Sequence, residues 1–209
     1  SDVTGDDPTH IASGPCAPDP TTYGDAVGIL ERYAVKAPAA VAGHLARGMR
    51  GEIAETPKPG DRVFAKTENR VIATAQQSLV AAAAFFRDQG VQPVILGDSV
   101  TGEAREVAKV YAALARQIRQ HGTPWQPPVA LISGGECTVI VRGEGRGGRC
   151  AEFLLSLALE LDAAPGIHAL ACDTDGIDGS EDNAGAILDP ATLQRARSRQ
   201  LDAATLLDR

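Results

Sequence analysis

Three short runs of this 209-residue sequence carry residue types that could handle phosphate and a divalent cation. The first is Ser133-Gly134-Gly135-Glu136. The second is Gly143-Glu144-Gly145-Arg146-Gly147-Gly148-Arg149, and the third is Asp173-Thr174-Asp175-Gly176-Ile177-Asp178. Glycine lets backbone amides approach a ligand, and the first turn of a helix has amide hydrogens without intrahelical partners. Gly145, Gly147 and Gly148 could therefore cradle phosphate, helped by the helix dipole and by the guanidinium groups of Arg146 and Arg149. Ser133, Gly134 and Gly135, at the end of an apolar run, join the cofactor-binding set. Asp173, Asp175 and Asp178 are hard oxygen ligands of the kind that hold Mg²⁺ together with nucleotide phosphates, and Glu136 could complete the metal shell or orient a substrate hydroxyl. Phosphoryl transfer asks little more of a protein than a cradle, cations and alignment of the attacking oxygen. Arg149, Arg146 and Glu136 are the candidate catalytic residues.

Each run also has a plainer reading. Gly143-x-Gly145-x-x-Gly148 fits the GxGxxG pattern, but glycine turns between strands and helices are ordinary. The aspartate run could be a solvated turn with local caps. It is not an EF-hand, because the positions that should carry glycine and the closing glutamate are Asp178 and Ala184. His10, His44, His121 and His168 are scattered without metal spacing, and Ser133 lacks the surroundings of a nucleophile elbow.

The elements that must position these runs follow from periodicity and punctuation. Residues 1–20 are rich in turn residues; helices are predicted over 23–33 and 38–49, and Thr56-Pro57-Lys58-Pro59-Gly60 reads as a linker. A short strand is expected at 62–66, a helix at 69–88, a covered strand at 91–96 and an amphipathic helix at 101–120 with Thr101 at its start. Next come strand 129–132, a Gly-Gly-Glu turn, strand 138–141, the glycine loop and a helix over 149–161. Strand 167–172, the aspartate loop, strand 184–188 and a polar helix over 190–200 complete the chain. This alternation predicts an α/β protein, a three-layer α/β/α arrangement with a largely parallel or mixed sheet. All three chemical runs then fall at or just beyond strand ends, where open α/β sheets bind their ligands.

Composition narrows the function classes. Hydrophobic residues are 44% and aromatics 4%, giving an aliphatic core, and the net charge of -7 argues against nucleic acid and acidic membranes as partners. Cys16, Cys137, Cys150 and Cys172 form no CxxC pair and read as free thiols. With no membrane-length apolar run and no signal peptide, a cytoplasmic location is expected. The oligomeric state stays open, with a homodimer among the options.

The motifs Ser133-Gly134-Gly135-Glu136, Thr138-Val139, Arg142-Gly143, Gly145-Arg146-Gly147-Gly148-Arg149, Glu152-Phe153 and Asp173 to Gly179 resemble the MOFRL region of class II glycerate 2-kinases, a family often labelled hydroxypyruvate reductase. The opening Asp2-Val3, Gly5-Asp6-Asp7-Pro8 and Ile11 to Pro15 resemble that family's central segment. The resemblance implies an ATP- and Mg²⁺-dependent kinase that phosphorylates the 2-hydroxyl of D-glycerate to give 2-phosphoglycerate. It implies two α/β domains around a cleft, with Ser13 and Gly14 lining it. Where the family usually has Asn-Gln after Gly-Gly-Arg, this chain has Cys150-Ala151. On this reading, residues 1–127 are the remaining part of the N-terminal and central region and 128–209 a MOFRL-type region truncated at its end. The chain is then expected to be a fragment lacking most of the Rossmann-like domain and inactive alone.

Two rivals are an NAD(P)H-dependent hydroxypyruvate reductase and a non-catalytic nucleotide- or phosphate-binding module. The reductase would use the GxGxxG loop with Asp173 on a ribose. Asp173 lies 25 residues beyond Gly148, however, and three neighbouring aspartates suit a metal–nucleotide site better than a ribose.

Overall fold

The computed structural model describes residues 3–11 and 14–209, so Ser13 lies outside the described residues. The chain forms two compact units, Ser1–Thr74 and Ala75–Arg209.

In the first unit, helices α1 (Tyr23–Arg32) and α2 (Ala39–Met49) follow the sequence expectation closely. Thr22 caps α1 in a reciprocal box with Asp25, which satisfies amides at both positions. Tyr23 packs edge-on against His44 of α2, with ring centroids 5.6 Å apart. Residues 56–58 are tied in rather than loose: Asp19 accepts from Thr56 Oγ1 at 2.9 Å, and Lys58 Nζ donates to the Thr21 carbonyl. The strand expected at 62–66 is instead a 3₁₀ turn, Arg62–Phe64. A strand needs a neighbour, and no strand is found in residues 3–11 or 14–74 to pair with it.

The second unit is α/β, as expected. It contains α3 (Ala75–Asp88), β1 (Gln92–Glu103), α4 (Ala104–His121), β2 (Val129–Thr138), α5 (Arg149–Leu161), β3 (Ala169–Cys172), β4 (Gly185–Leu188), α6 (Thr192–Ser198) and α7 (Ala203–Leu207). β1 and β2 pair in parallel, whereas β3 and β4 form a separate antiparallel pair. No described helix is long and apolar enough to cross a membrane.

Two expected boundaries moved for one reason. The Gly-Gly-Glu turn does not exist; β2 runs through it, and β1 continues past Leu96 as far as Glu103. Gly97 pairs with Ser133 and Val100 with Gly135, with register shifts on either side. Gly135 (φ +151°) passes so close to Val100 that a Cβ there would sit 2.0 Å from its carbonyl oxygen. Its glycine serves close strand contact, not a turn. The helix expected from Thr101 accordingly starts at Ala104, with Glu103 as N-cap. The run 138–141 is not a separate strand: Thr138 ends β2 and 139–141 belong to a loop.

The core of this unit is the α4–α5 contact. Ala104, Ala108 and Ala112 recur every four residues and are fully buried, so the α4 backbone can come close to its neighbour. Leu154, Leu157, Ala158 and Leu161 of α5 meet that stripe, and Leu188, Leu193 and Ala203 close the cluster. Each buried leucine contributes about 1.5–3 kcal/mol. Tyr111 and Phe153 add an edge-to-face pair at 5.4 Å. This packing fixes α5, and α5 carries Arg149.

Candidate active site

Arg149 is the first residue of α5, and its guanidinium joins two strand ends. Nη2 donates to Asp173 Oδ1 at 2.7 Å, Nε lies 3.2 Å and 3.3 Å from the two Asp173 oxygens, and Nη1 pairs with Glu136 Oε1. Glu136 comes from the C-terminal part of β2, and Asp173 follows β3 directly. All three side chains are largely covered, which strengthens their attraction relative to a surface pair.

Asp178 is 1% exposed and does something local sequence does not announce. Its Oδ1 accepts the Cys150 amide at 2.9 Å and its Oδ2 the Ala151 amide at 2.8 Å. The N-cap of α5 is Gly148, which has no side chain to serve these amides. A carboxylate from 27 and 28 residues downstream supplies the cap instead. The two chain segments interlock at that point. A Cβ on Gly148 would lie 2.2 Å from Asp178 Oδ1, and one on Gly179 would lie 2.3 Å from the Gly147 carbonyl oxygen. The Ser180 amide donates to that same carbonyl at 3.3 Å. The missing local cap was a signal in the sequence: a helix start preceded by Gly-Gly needs a distant acceptor.

The other expected residues are more dispersed. Ser133 Oγ accepts from the Tyr111 hydroxyl at 2.8 Å, which fixes β2 against α4. Gly134 faces Leu79 and Ala75 of α3 at ordinary contact distance. Gly145 donates its amide to the Arg209 carbonyl at 3.2 Å. Gly147 adopts φ +149°. Arg146 is exposed and pairs with Glu181 at 2.8 Å. Asp175 is exposed in the turn that begins at Asp173, where its Oδ1 accepts the Ile177 amide at 2.9 Å. The structure thus gathers Arg149, Glu136, Asp173 and Asp178, while Arg146 reaches across to Glu181 and Asp175 is engaged within its own turn.

Two neighbours were not singled out from the sequence. The Cys150 thiol lies 3.9 Å from Asp173 Oδ2, and one donor atom from each of Cys150, Asp173 and Asp178 falls within 4.8 Å of the others. Burial first, and then the Asp173 and Asp178 carboxylates, push this thiol up to about 12. It therefore stays protonated at neutral pH, and a mixed set of this kind suits Mg²⁺ poorly. By donor type alone, the carboxylates of Glu136, Asp173 and Asp175 are the hard oxygen ligands that ion prefers, although Glu136 and Asp173 are paired with Arg149 here.

The second is Arg105, in the first turn of α4 and 7% exposed. It donates to Glu152 Oε1 at 2.9 Å and Asp208 Oδ1 at 3.2 Å, and lies 3.5 Å from Glu103. The Glu152 hydrogen bond, more than any other contact, raises its pKa further. Glu152 sits one helical turn after Arg149, so this buried pair anchors the same stretch of α5. An arginine opposed to the dipole at a helix start was the clue that an acid must face it.

The chain also resembles known proteins along its length. Residues 129–209 match the MOFRL family, and residues 1–46 match the Domain of unknown function (DUF4147). A protein of Agrobacterium vitis whose name includes hydroxypyruvate reductase is 48% identical over 97% of this chain and 45% of its own length. The glycerate 2-kinase of Pyrococcus horikoshii is 37% identical over 99% of this chain and 47% of its own. The crystal structure of glycerate kinase from Thermotoga maritima superposes with a TM-score of 0.79 at 34% identity, covering 100% of this chain and 48% of that one. The chain spans about half the length of the curated relatives it matches. Residues 129–209, which hold the glycine loop, Arg149 and the aspartate loop, are thus similar in sequence to the MOFRL family.

Proposed function

We propose that this chain carries part of the phosphoryl-transfer site of an ATP- and Mg²⁺-dependent D-glycerate 2-kinase. The observation that supports this best is Arg149, a guanidinium held between Glu136 and Asp173 where two strands end. Arg149 neutralises charge on the phosphoryl group in flight, and Arg146, on the same loop, assists at its edge. Glu136 orients the acceptor hydroxyl or the metal. Bound Mg²⁺ would be held by Asp173 and Asp175 and would neutralise charge on phosphate oxygens. The amides of Gly147 and Gly148, with Gly145 and the strand residues Ser133 to Gly135, border the nucleotide phosphates. The MOFRL-type region from 128 onward acts as the part that presents these groups, with residues 1–127 as its companion. The acceptor, D-glycerate, rests on the names of the relatives.

The dehydrogenase alternative meets an obstacle in the fold. A dinucleotide fingerprint places pyrophosphate on the first-turn amides of its helix. In α5 the Cys150 and Ala151 amides are already held by Asp178.

The test is turnover by the intact protein. Mg-ATP with D-glycerate should yield ADP, while NADH or NADPH with hydroxypyruvate should remain unconsumed. Consumption of reduced nicotinamide without ADP formation would reverse the assignment.

A further inference from the structure

Among the three loop aspartates, Asp178 has a different environment from Asp173 and Asp175. It is 1% exposed, and both of its oxygens are taken by backbone amides of α5. It sits five residues beyond Asp173 on the same loop, and the amides that donate to it lie one and two residues beyond Arg149 on the same helix. The contact between Asp178 and α5 thus lies directly beside the contact between Asp173 and Arg149.

We infer that Asp178 is a positioning residue: it clasps the aspartate loop to the first turn of α5 and so sets the Asp173–Arg149 contact, rather than holding the metal ion itself. This deepens the kinase reading of the same site, but its structural core holds whatever the reaction.

Four observations carry it. The clasp is bidentate, one oxygen to each amide, at 2.9 Å and 2.8 Å, so the carboxylate can neither slide nor rotate without losing a bond. The helix has no local cap, so removing Asp178 leaves two part-buried donors without that acceptor. Gly148 and Gly179 each leave room only for the partner segment, which explains two glycines without invoking a ligand. Asp178 also closes its own loop, because its amide donates to the Asn183 carbonyl at 2.7 Å. A metal ion drawing on Asp178 would have to compete with both α5 amides in a place with almost no solvent.

Only a carboxylate gives two equivalent acceptors. In Asp178→Asn one oxygen is replaced by an NH₂ that would face an amide hydrogen, so one of the two bonds must break. The variant preserves volume and isolates the clasp from packing.

The experiment uses nuclear magnetic resonance on the intact protein without nucleotide. In the unaltered protein, the Cys150 and Ala151 amides should exchange with solvent at least tenfold more slowly than exposed loop amides such as that of Asp175. The Arg149 Nε–H resonance should appear at a position characteristic of a carboxylate partner. Asp178→Asn should abolish the protection of at least one of the two amides and move the Arg149 resonance toward that of a solvated arginine. Mg²⁺ affinity, measured by calorimetry, should change by less than threefold. Unprotected amides in the unaltered protein would overturn the clasp, and this measurement needs no variant to fold. An Arg149 resonance indifferent to Asp178→Asn would overturn the positioning role. A fall in Mg²⁺ affinity of thirtyfold or more with both amides still protected would make Asp178 a metal ligand and sink the inference. These readouts do not use turnover, so they separate this inference from the kinase assignment. For turnover itself, the variant should lose at least tenfold in kcat with the KM for Mg-ATP within threefold. A variant with full kcat and broken clasp would contradict the role.

Discussion

The guanidinium of Arg149 and the carboxylate of Asp173 come from segments 24 residues apart and meet at 2.7 Å. Neither residue could hold that position alone. Arg149 is fixed by α5, which the alanine stripe of α4 seats and Asp178 caps. Asp173 is fixed as β3 ends, where its amide donates to the Ala184 carbonyl at 2.7 Å. The charge pair therefore reports whether helix and loop are assembled.

If Arg149 stabilises charge on the transferring group, Arg149→Ala should lower turnover on the order of 10³-fold. Arg149→Lys should recover little of it, because an ammonium cannot reproduce the two-pronged contact with Asp173 while reaching Glu136. Steady-state kinetics of ADP release will check both, and a loss below tenfold for Arg149→Ala would remove it from the site.

Arg105→Met tests the buried anchor beneath α5. It leaves Glu152 covered and without its cation, which costs about 3–5 kcal/mol for a buried pair broken on one side. The lower end is expected, since Glu103 keeps Arg142 at 2.9 Å. Urea unfolding should show a loss near 3 kcal/mol; a loss below 1 kcal/mol would mean the network is a surface feature.

How much of this was legible beforehand depended on whether the cause was local. α5 was read over the correct residues because Arg149 to Leu161 combines an apolar face with a glycine start and a clear stop. The position of the glycine and aspartate runs beyond strand ends was also readable from alternation, whereas Ser133 to Glu136 lies within β2. Gly134-Gly135 was mistaken for a turn because glycine marks both turns and close strand contacts, and only the distant Val100 decides between them. Arg62 to Lys66 looked like a strand in isolation and found no partner. Spacing within a loop cannot show that the Asp178 carboxylate turns inward to amides 27 and 28 residues away. Arg105 and Glu152 are 47 residues apart, and their pairing belongs to tertiary structure.

Cys150 should be the least reactive thiol. Its raised pKa keeps it protonated at pH 8, whereas Cys16 and Cys172 are exposed. A thiol-specific disulfide reagent should label Cys16 and Cys172 first and Cys150 markedly more slowly. The sign for stability follows: this group's contribution is intact below its unfolded value near 9 and fades as pH climbs toward about 12. Labelling of Cys150 as fast as that of Cys16 in the folded protein would contradict the raised pKa.

In the N-terminal unit, Gly48→Ala sets propensity against packing. Alanine gains about 1 kcal/mol in a helix interior, but its Cβ would lie 2.3 Å from the Tyr23 ring. Overpacking typically costs about 1–3 kcal/mol, so the net change should be destabilising. Thermal melting should show a lower midpoint, and a higher one would mean the ring yields freely.

The most direct test of the whole account is the identity of the product. Phosphorus-31 NMR on the intact protein with Mg-ATP and D-glycerate should show ADP and a phosphate ester on the 2-hydroxyl growing together, with neither formed when D-glycerate is omitted. ATP left unchanged in the presence of D-glycerate, or an ester on the 3-hydroxyl alone, would contradict it.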